Sequence, residues 1–246
     1  MAFQIEIPAA ANEELLATVT ARWNSLTKPP GSLGRLEGLV AQLALATGSA
    51  RPSVARKALV VFCADHGVTV EGVSAYPKAV TGQMLLNFLA GGAAINVLCR
   101  QFGIQPLIVD AGVDGGPVEG ALDMRLGRGT ANFVSETAMS LAEVEQGLNN
   151  GAALARRLRP STDIAAVGEM GIGNTTSASA LFAAYSGTAA EAAVGPGTGV
   201  DSAGVQRKAD VVRRALERHR ELISSGDAVG DCATAELTPP ASMMLR

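Results

Sequence analysis

One unit recurs along this chain and constrains its fold more than anything else: an apolar run of strand length, a turn rich in Gly or Asp, then a helix-like stretch. It appears at ALVVFCADHG (58–67), QPLIVDAGV (105–113), DIAAVGEMG (163–171) and, more weakly, AEAAVGPGTG (190–199). Continuous apolar runs suit strands buried on both faces of a parallel sheet. Helices are expected at 78–102, as one or two, and at 140–159, 174–186 and 201–223. Strands alternating with helices make βαβ units, so the expected fold is α/β, a parallel sheet flanked by helices in a Rossmann-like three-layer form. Two helices come first. One spans 12–25, with Leu15, Leu16, Val19 and Trp23 near one face and Asn12 as its cap; the other spans about 33–47. Between them TKPPGSLG (27–34) breaks the pattern, because Pro29 and Pro30 cannot continue a helix. The expected division is a helical annex at 1–50, an α/β core with the ligand loops at 51–225, and a divergent tail at 226–246.

Composition narrows the function classes. With 48% hydrophobic and 17% charged residues, the chain is not of the disordered class. Lys and Arg (20) do not outnumber Asp and Glu (23) and form no basic block, which disfavours a nucleic-acid partner. No apolar stretch is expected to span a membrane, and MAFQIEIPAAANEELL lacks the basic start and apolar core of a signal peptide. A cytoplasmic location is therefore expected. Cys63, Cys99 and Cys232 lack C-x-x-C spacing, which argues against a disulfide framework or a zinc site. Cys63 reads as a small buried hydrophobe. Two histidines, His66 and His219, are too few for a multi-histidine metal site.

Ligands of open parallel sheets sit beyond the carboxyl ends of the strands. The strongest signal there is GEMGIGNTT (168–176), which ends a strand and opens a helix. Its glycines allow close approach to the backbone, and the Thr175 and Thr176 hydroxyls lie beside free N–H groups at the positive end of the helix dipole, a setting that favours phosphate. The pattern lacks the third glycine of a dinucleotide fingerprint and the lysine of a P-loop, so a mononucleotide phosphate or another small anion fits better. A tight turn with a threonine cap is the plainer alternative. Glu169 ends an apolar strand, where desolvation would raise its pKa and suit it to general-base work; a carboxylate satisfied by nearby N–H groups reads equally well. GPGTG (195–199) is a second loop for an anion, and Lys208 follows as a point charge or as part of a solvated helix face. Asp65-His66-Gly67 reads as a hydrogen-bonded turn. Ser74, Tyr76, Gln83 and Met84 surround the start of a helix at Pro77, a mixture suited to a flat, mostly apolar ligand or to ordinary packing.

Taken together, TKPPGSLGRLE (27–37), ADHGV (64–68), GVSAYPKAVTGQMLLNFLAGGAAINVL (72–98), VDAGV (109–113), GRGTANF (127–133), GEMGIGNTTSASA (168–180) and VGPGTGVD (194–201) resemble, in order, the nicotinate-nucleotide–dimethylbenzimidazole phosphoribosyltransferase family. The resemblance runs from about Leu26 to Ile223. It implies that dimethylbenzimidazole displaces nicotinate from nicotinate mononucleotide with inversion at the anomeric carbon, giving α-ribazole phosphate, without metal or redox cofactor. It also implies a homodimer. By motif, Ser74, Tyr76 and Gln83 would line the base pocket with Met170 near the ring, and Glu169 would be one of two acidic residues near the reacting base. Gly171, Gly173, Asn174, Thr175 and Thr176 would hold ribose and phosphate, joined by Gly195, Gly197, Thr198, Gly199 and Lys208. The chain departs from the family at Pro196, where members often have Arg. It departs again after about Ser225, where the family's Gly-Glu-Gly-Thr-Gly-like segment, carrying the principal base, has no counterpart. The alternative implied is a truncated, frameshifted or partner-dependent homologue that binds nucleotide or base without turnover.

Overall fold

The computed structural model describes residues 12–224. They fall into two compact units, one within Gln4–Arg56 and one from Lys57 onward. The tail at 226–246 and Cys232 lie outside the described residues.

The first unit is a pair of helices, α1 (Glu13–Ser25) and α2 (Arg35–Thr47). Asn12 caps α1 as expected, its Oδ1 accepting from the Leu15 N–H at 2.9 Å. Val19 and Ala44 are buried, and α2 stops at Gly48 in the left-handed conformation.

The second unit holds the sheet. Its strands are β1 (Lys57–Ala64), β2 (Pro106–Gly112), the two-residue β3 (Leu122–Asp123) and β4 (Ile164–Met170). They are parallel in the order β3-β2-β1-β4. Between β1 and β2 run α3 (Val80–Leu89) and α4 (Ala94–Gln101), and α5 (Leu141–Leu158) leads into β4. After β4 come α6 (Asn174–Ser186), α7 (Ala190–Ala193), α8 (Ser202–Arg218) and α9 (Arg220–Ser224). Strand side chains alternate between faces. Leu59, Val61 and Cys63 pack with Leu85 and Phe88 of α3 and Cys99 of α4. Val60, Phe62 and Ala64 pack with Leu154 of α5. Helices therefore cover both faces of β1, the three-layer arrangement expected. A further core joins Val68 and Phe133 to Leu181 of α6 and to Val211 and Val212 of α8.

Three expectations need correction. The weak strand at 190–199 is instead the helical turn α7 followed by a loop. Alanine favours helix, Ala190 is buried against the α6–α8 core, and Glu191 is held by an ion pair with Arg213. The apolar run of β4 is not buried on both faces: as the edge strand among the described residues it leaves Ile164 41% and Val167 45% exposed. The helix expected over 201–223 divides at His219, whose Nε2 lies 2.9 Å from the Phe133 carbonyl oxygen. A fourth feature is new: Val80–Gln101 is 22 residues long with mean hydropathy 1.4, enough by length and composition to cross a membrane. It folds instead as the ten-residue α3 and the eight-residue α4, broken around Gly91, whose φ is +77°. Each is far short of the ~20 residues a span needs.

Leu85 is completely buried between α3 and the sheet. Leu85→Ala is expected to lower stability by about 2–5 kcal/mol, read as a lower urea midpoint with an unchanged denaturant slope.

Candidate active site

The order β3-β2-β1-β4 reverses at β1. The chain leaves β1 toward β2 and β3, then returns through α5 to β4 on the other side. The crevice beyond the carboxyl ends of β1 and β4 is thus the topological switch point, where open α/β sheets bind ligands. Among the described residues, five buried side-chain atoms lack a hydrogen-bond partner: Asp65 Oδ1, His66 Nε2, Asp110 Oδ2, Asn174 Oδ1 and Thr176 Oγ1. All five belong to the carboxyl ends of β1 and β2 or to the first turn of α6. Each such group costs roughly 1–3 kcal/mol, so the cost is concentrated at one edge of the sheet.

A cleft with a cavity volume of about 110 Å³ lies there, lined by Val73, Ser74, Glu169, Met170, Gly171, Ile172, Gly173, Thr175 and Thr198. Glu169 projects from the last turn of strand before α6. Burial raises its pKa above the usual carboxylate value, while the Asn174 side chain and the Gly171 N–H favour the charged form and oppose that rise. Gly171 and Gly173 are glycines because of the protein's own packing. A Cβ on Gly171 would sit 2.6 Å from the Ala64 carbonyl oxygen, and Gly173 has φ +97° with Thr69 Cγ2 only 3.0 Å from where its Cβ would be. The turn is pinned from α3 as well, where Thr81 Oγ1 accepts from the Ile172 N–H at 3.1 Å.

Opposite this loop stands Lys208, only 1% exposed on α8. Its Nζ donates to Thr175 Oγ1 at 2.9 Å and to the Gly195 carbonyl at 3.0 Å. No carboxylate pairs with it among the described residues. Burial lowers its pKa. The solvated-face reading of Lys208 is therefore corrected: spacing groups it with Arg207 and Arg214, but the fold turns it inward. The 195–199 loop wraps this amine, with Gly197 so close that a Cβ there would sit 2.8 Å from Nζ. Gly199 closes the turn by donating its N–H to the Pro196 carbonyl at 2.9 Å. Thr198 meets Ser74 across the cleft mouth, hydroxyl to hydroxyl, at 3.1 Å.

The fold thus brings Ser74, Glu169, Met170, Gly171, Gly173, Thr175 and Thr198 to one cleft, with Lys208, Gly195 and Gly197 behind Thr175. Asn174 and Thr176 are buried in the first turn of α6. Tyr76 and Gln83 do not line the cleft; both are exposed around the start of α3. Sequence reasoning missed Val73, Ile172 and Thr81. Thr81 had a readable signal, since it shares the buried stripe of α3 with Leu85 and Phe88. Cys63 is fully buried, and that burial, with help from Asp110 and Glu169, pushes its thiol up to about 12, so it is an inert core side chain.

The switch-point cleft thus has a desolvated carboxyl group in its lining and, behind Thr175, a buried amine with no carboxylate partner among the described residues. The family model described as phosphoribosyltransferase matches residues 8–246, and the chain belongs to that family. The nicotinate-nucleotide–dimethylbenzimidazole phosphoribosyltransferase of Pseudomonas putida is 49% identical over 202 residues, covering 81% of this chain and 58% of that protein. The enzyme of the same name from Roseiflexus sp. (strain RS-1) is 46% identical over 233 residues, covering 93% and 66%. The crystal structure of CobT from Thermus thermophilus superposes with a TM-score of 0.85 at 42% identity, over 94% of this chain and 71% of that one. The chain spans about three fifths of the length of the curated relatives it matches.

The burial of Glu169 has a consequence for stability. Its carboxyl binds a proton more tightly in the folded protein than in the unfolded chain, where the value is near 4.5. Stability contributed by this group is therefore lost as pH rises from about 4.5 through the higher folded value. Glu169→Gln is expected to raise the urea midpoint at pH 7, with the difference closing toward pH 4.

Proposed function

We propose that the cleft transfers phosphoribose from nicotinate mononucleotide to dimethylbenzimidazole, yielding α-ribazole phosphate and nicotinate. The observation that carries this reading is Lys208, a buried cation without a carboxylate partner among the described residues, beside the Thr175 hydroxyl and the 195–199 loop. A nucleotide phosphate would supply the missing counter-charge, and the start of α6 would add its dipole. The motif resemblance and the names of the relatives support the choice of nucleotide and base.

In this reading one azole nitrogen attacks the ribose anomeric carbon from the face opposite nicotinate. The bond to nicotinate breaks, nicotinate leaves with the electron pair, and configuration inverts. The N–H proton on the other azole nitrogen passes to a base, and Glu169 is the group placed to take it. Its raised pKa makes it a better proton acceptor than an exposed carboxylate. Ser74 and Met170 would face the base, with Tyr76 and Gln83 flanking it from the exposed start of α3. Gly171, Gly173, Asn174, Thr175 and Thr176 would hold ribose and phosphate, together with Gly195, Gly197, Thr198, Gly199 and Lys208. The protein would act in the cytoplasm as a homodimer, the dimer being the part supported by exposed Leu86, Val97, Leu98 and Phe102 along α3 and α4.

One observation favours a second reading, binding without turnover. Glu169 is the sole carboxylate lining the cleft among the described residues, whereas the resemblance implies two acidic groups near the base. Incubation with both substrates and chromatographic detection of α-ribazole phosphate separates the two. Product is expected, and its absence at high enzyme concentration, with calorimetric binding intact, establishes the second reading. Glu169→Gln is expected to lower kcat by about 10²–10⁴-fold. Lys208→Ala is expected to weaken nicotinate mononucleotide binding at least tenfold.

A further inference from the structure

His66 has no part in the proposed chemistry, yet it is almost wholly enclosed beside the cleft, 1% exposed at the carboxyl end of β1. The imidazole is wedged under the turn that follows β4. A Cβ on Gly171 would lie 2.6 Å from its Nε2 and 2.8 Å from its Cδ2, and a Cβ on Gly173 would lie 3.3 Å from the His66 Cβ. On the other side of the ring, Nδ1 is 3.1 Å from Ser177 Oγ, itself completely buried in α6. The His66 carbonyl accepts from both the N–H and the hydroxyl of Thr69, at 3.2 and 2.9 Å, which fixes its backbone.

Two groups act on the Glu169 carboxyl: the Gly171 N–H and the Asn174 side chain. Gly171 rests directly on the ring. Asn174 opens the helix that carries Ser177 and donates its N–H to the Gly171 carbonyl at 3.0 Å. We propose that His66 is a positioning residue for Glu169, seating through Gly171 and Ser177 both of the groups that orient that carboxyl. Burial holds the ring neutral, its pKa lowered to about 3, so it does this as an uncharged plug throughout the physiological range. A phenyl ring would fill the same space but would leave the Ser177 hydroxyl buried without a partner and the ring free to rotate about its axis. The inference deepens the reading of Glu169 as the proton acceptor, and its effect on turnover rests on that reading.

The test uses the full chain without ligand. Amide hydrogen exchange is measured by NMR in Ser177→Ala and His66→Phe, with Leu85→Ala as a control for general loss of stability. Both site variants are expected to speed exchange at Gly171 and Asn174 about tenfold while Val61 in β1 and Val109 in β2 keep their original rates. The control is expected to speed exchange at Val61 and Val109 as well. Equal acceleration at all four amides in the site variants, or none at Gly171 and Asn174, overturns the proposal. In turnover assays the same variants are expected to lower kcat about tenfold, with KM for nicotinate mononucleotide within about twofold; parallel rises in KM count against positioning. A chain without turnover in its unsubstituted form refutes the catalytic reading of Glu169, while the exchange pattern still decides the role of His66.

Discussion

β1 has parallel partners on both sides, and its backbone from Leu59 to Cys63 is committed to β2 on one edge and β4 on the other. Helices cover both of its faces, and from Leu59 to its carboxyl end every residue is buried. Everything chemically interesting in the second unit follows from that confinement. Asp65 and His66 follow where the strand stops and stay buried, while Glu169, at the end of β4 on the far side of the point where the strand order reverses, lines the cleft. Were the order not reversed at β1, the loops after β1 and β4 would have a further strand and its crossover between them, and no crevice would form.

The same confinement sets the electrostatics. Burial raises the pKa of Glu169, Asp65 and Asp110 and lowers those of His66 and Lys208. One cause acts in opposite directions because it penalises whichever form is charged. Asp65 and Asp110 relieve part of that penalty through backbone N–H groups. Asp65 accepts from Asp114 at 2.7 Å, and Asp110 accepts from Gly112 and Val113 at 3.1 and 2.9 Å. Those two carboxylates thereby shape the turn after β2. Glu169 differs in facing the cleft, so the penalty it carries remains available to an incoming group.

The strands at 58–67, 105–113 and 163–171 were legible because parallel strands have to be apolar along their length, and a continuous run is hard to disguise. The fourth run failed for a related reason. AEAAVG is apolar enough for a strand, but alanine carries no preference for the pleated surface, and contact with α6 and α8 decided in favour of a helical turn. Periodicity also could not show that β4 is an edge, since exposure depends on which neighbour is present rather than on the strand's own residues. Within the site, the glycine loops and Glu169 were visible as motifs. Lys208 was visible only as an ambiguous charge among Arg207, Asp210 and Arg213, because on α8 a single helical step separates the buried face from the solvent face. His66 and Ser177 lie 111 residues apart, and no local pattern joins them.

Pro196, where the resemblance leads one to expect arginine, falls inside the described loops, and the geometry limits what such a difference changes. The loop closes through the Pro196 carbonyl, which accepts from the N–H groups of Gly199 at 2.9 Å and Val200 at 3.1 Å. Proline keeps its carbonyl and loses only its N–H, so the turn forms without strain on that bond. What an arginine there would add is an exposed charge, since residue 196 faces solvent. An exposed guanidinium is screened by water and salt, whereas an amine buried as deeply as Lys208 interacts with a neighbouring anion through a much lower effective dielectric. The buried amine also has no rival carboxylate to displace among the described residues. An anion arriving beside it restores the charged state that burial disfavours, so binding and protonation of Lys208 reinforce each other. If the proposed phosphate binds here, this physics makes its recognition depend on Lys208 far more than on position 196.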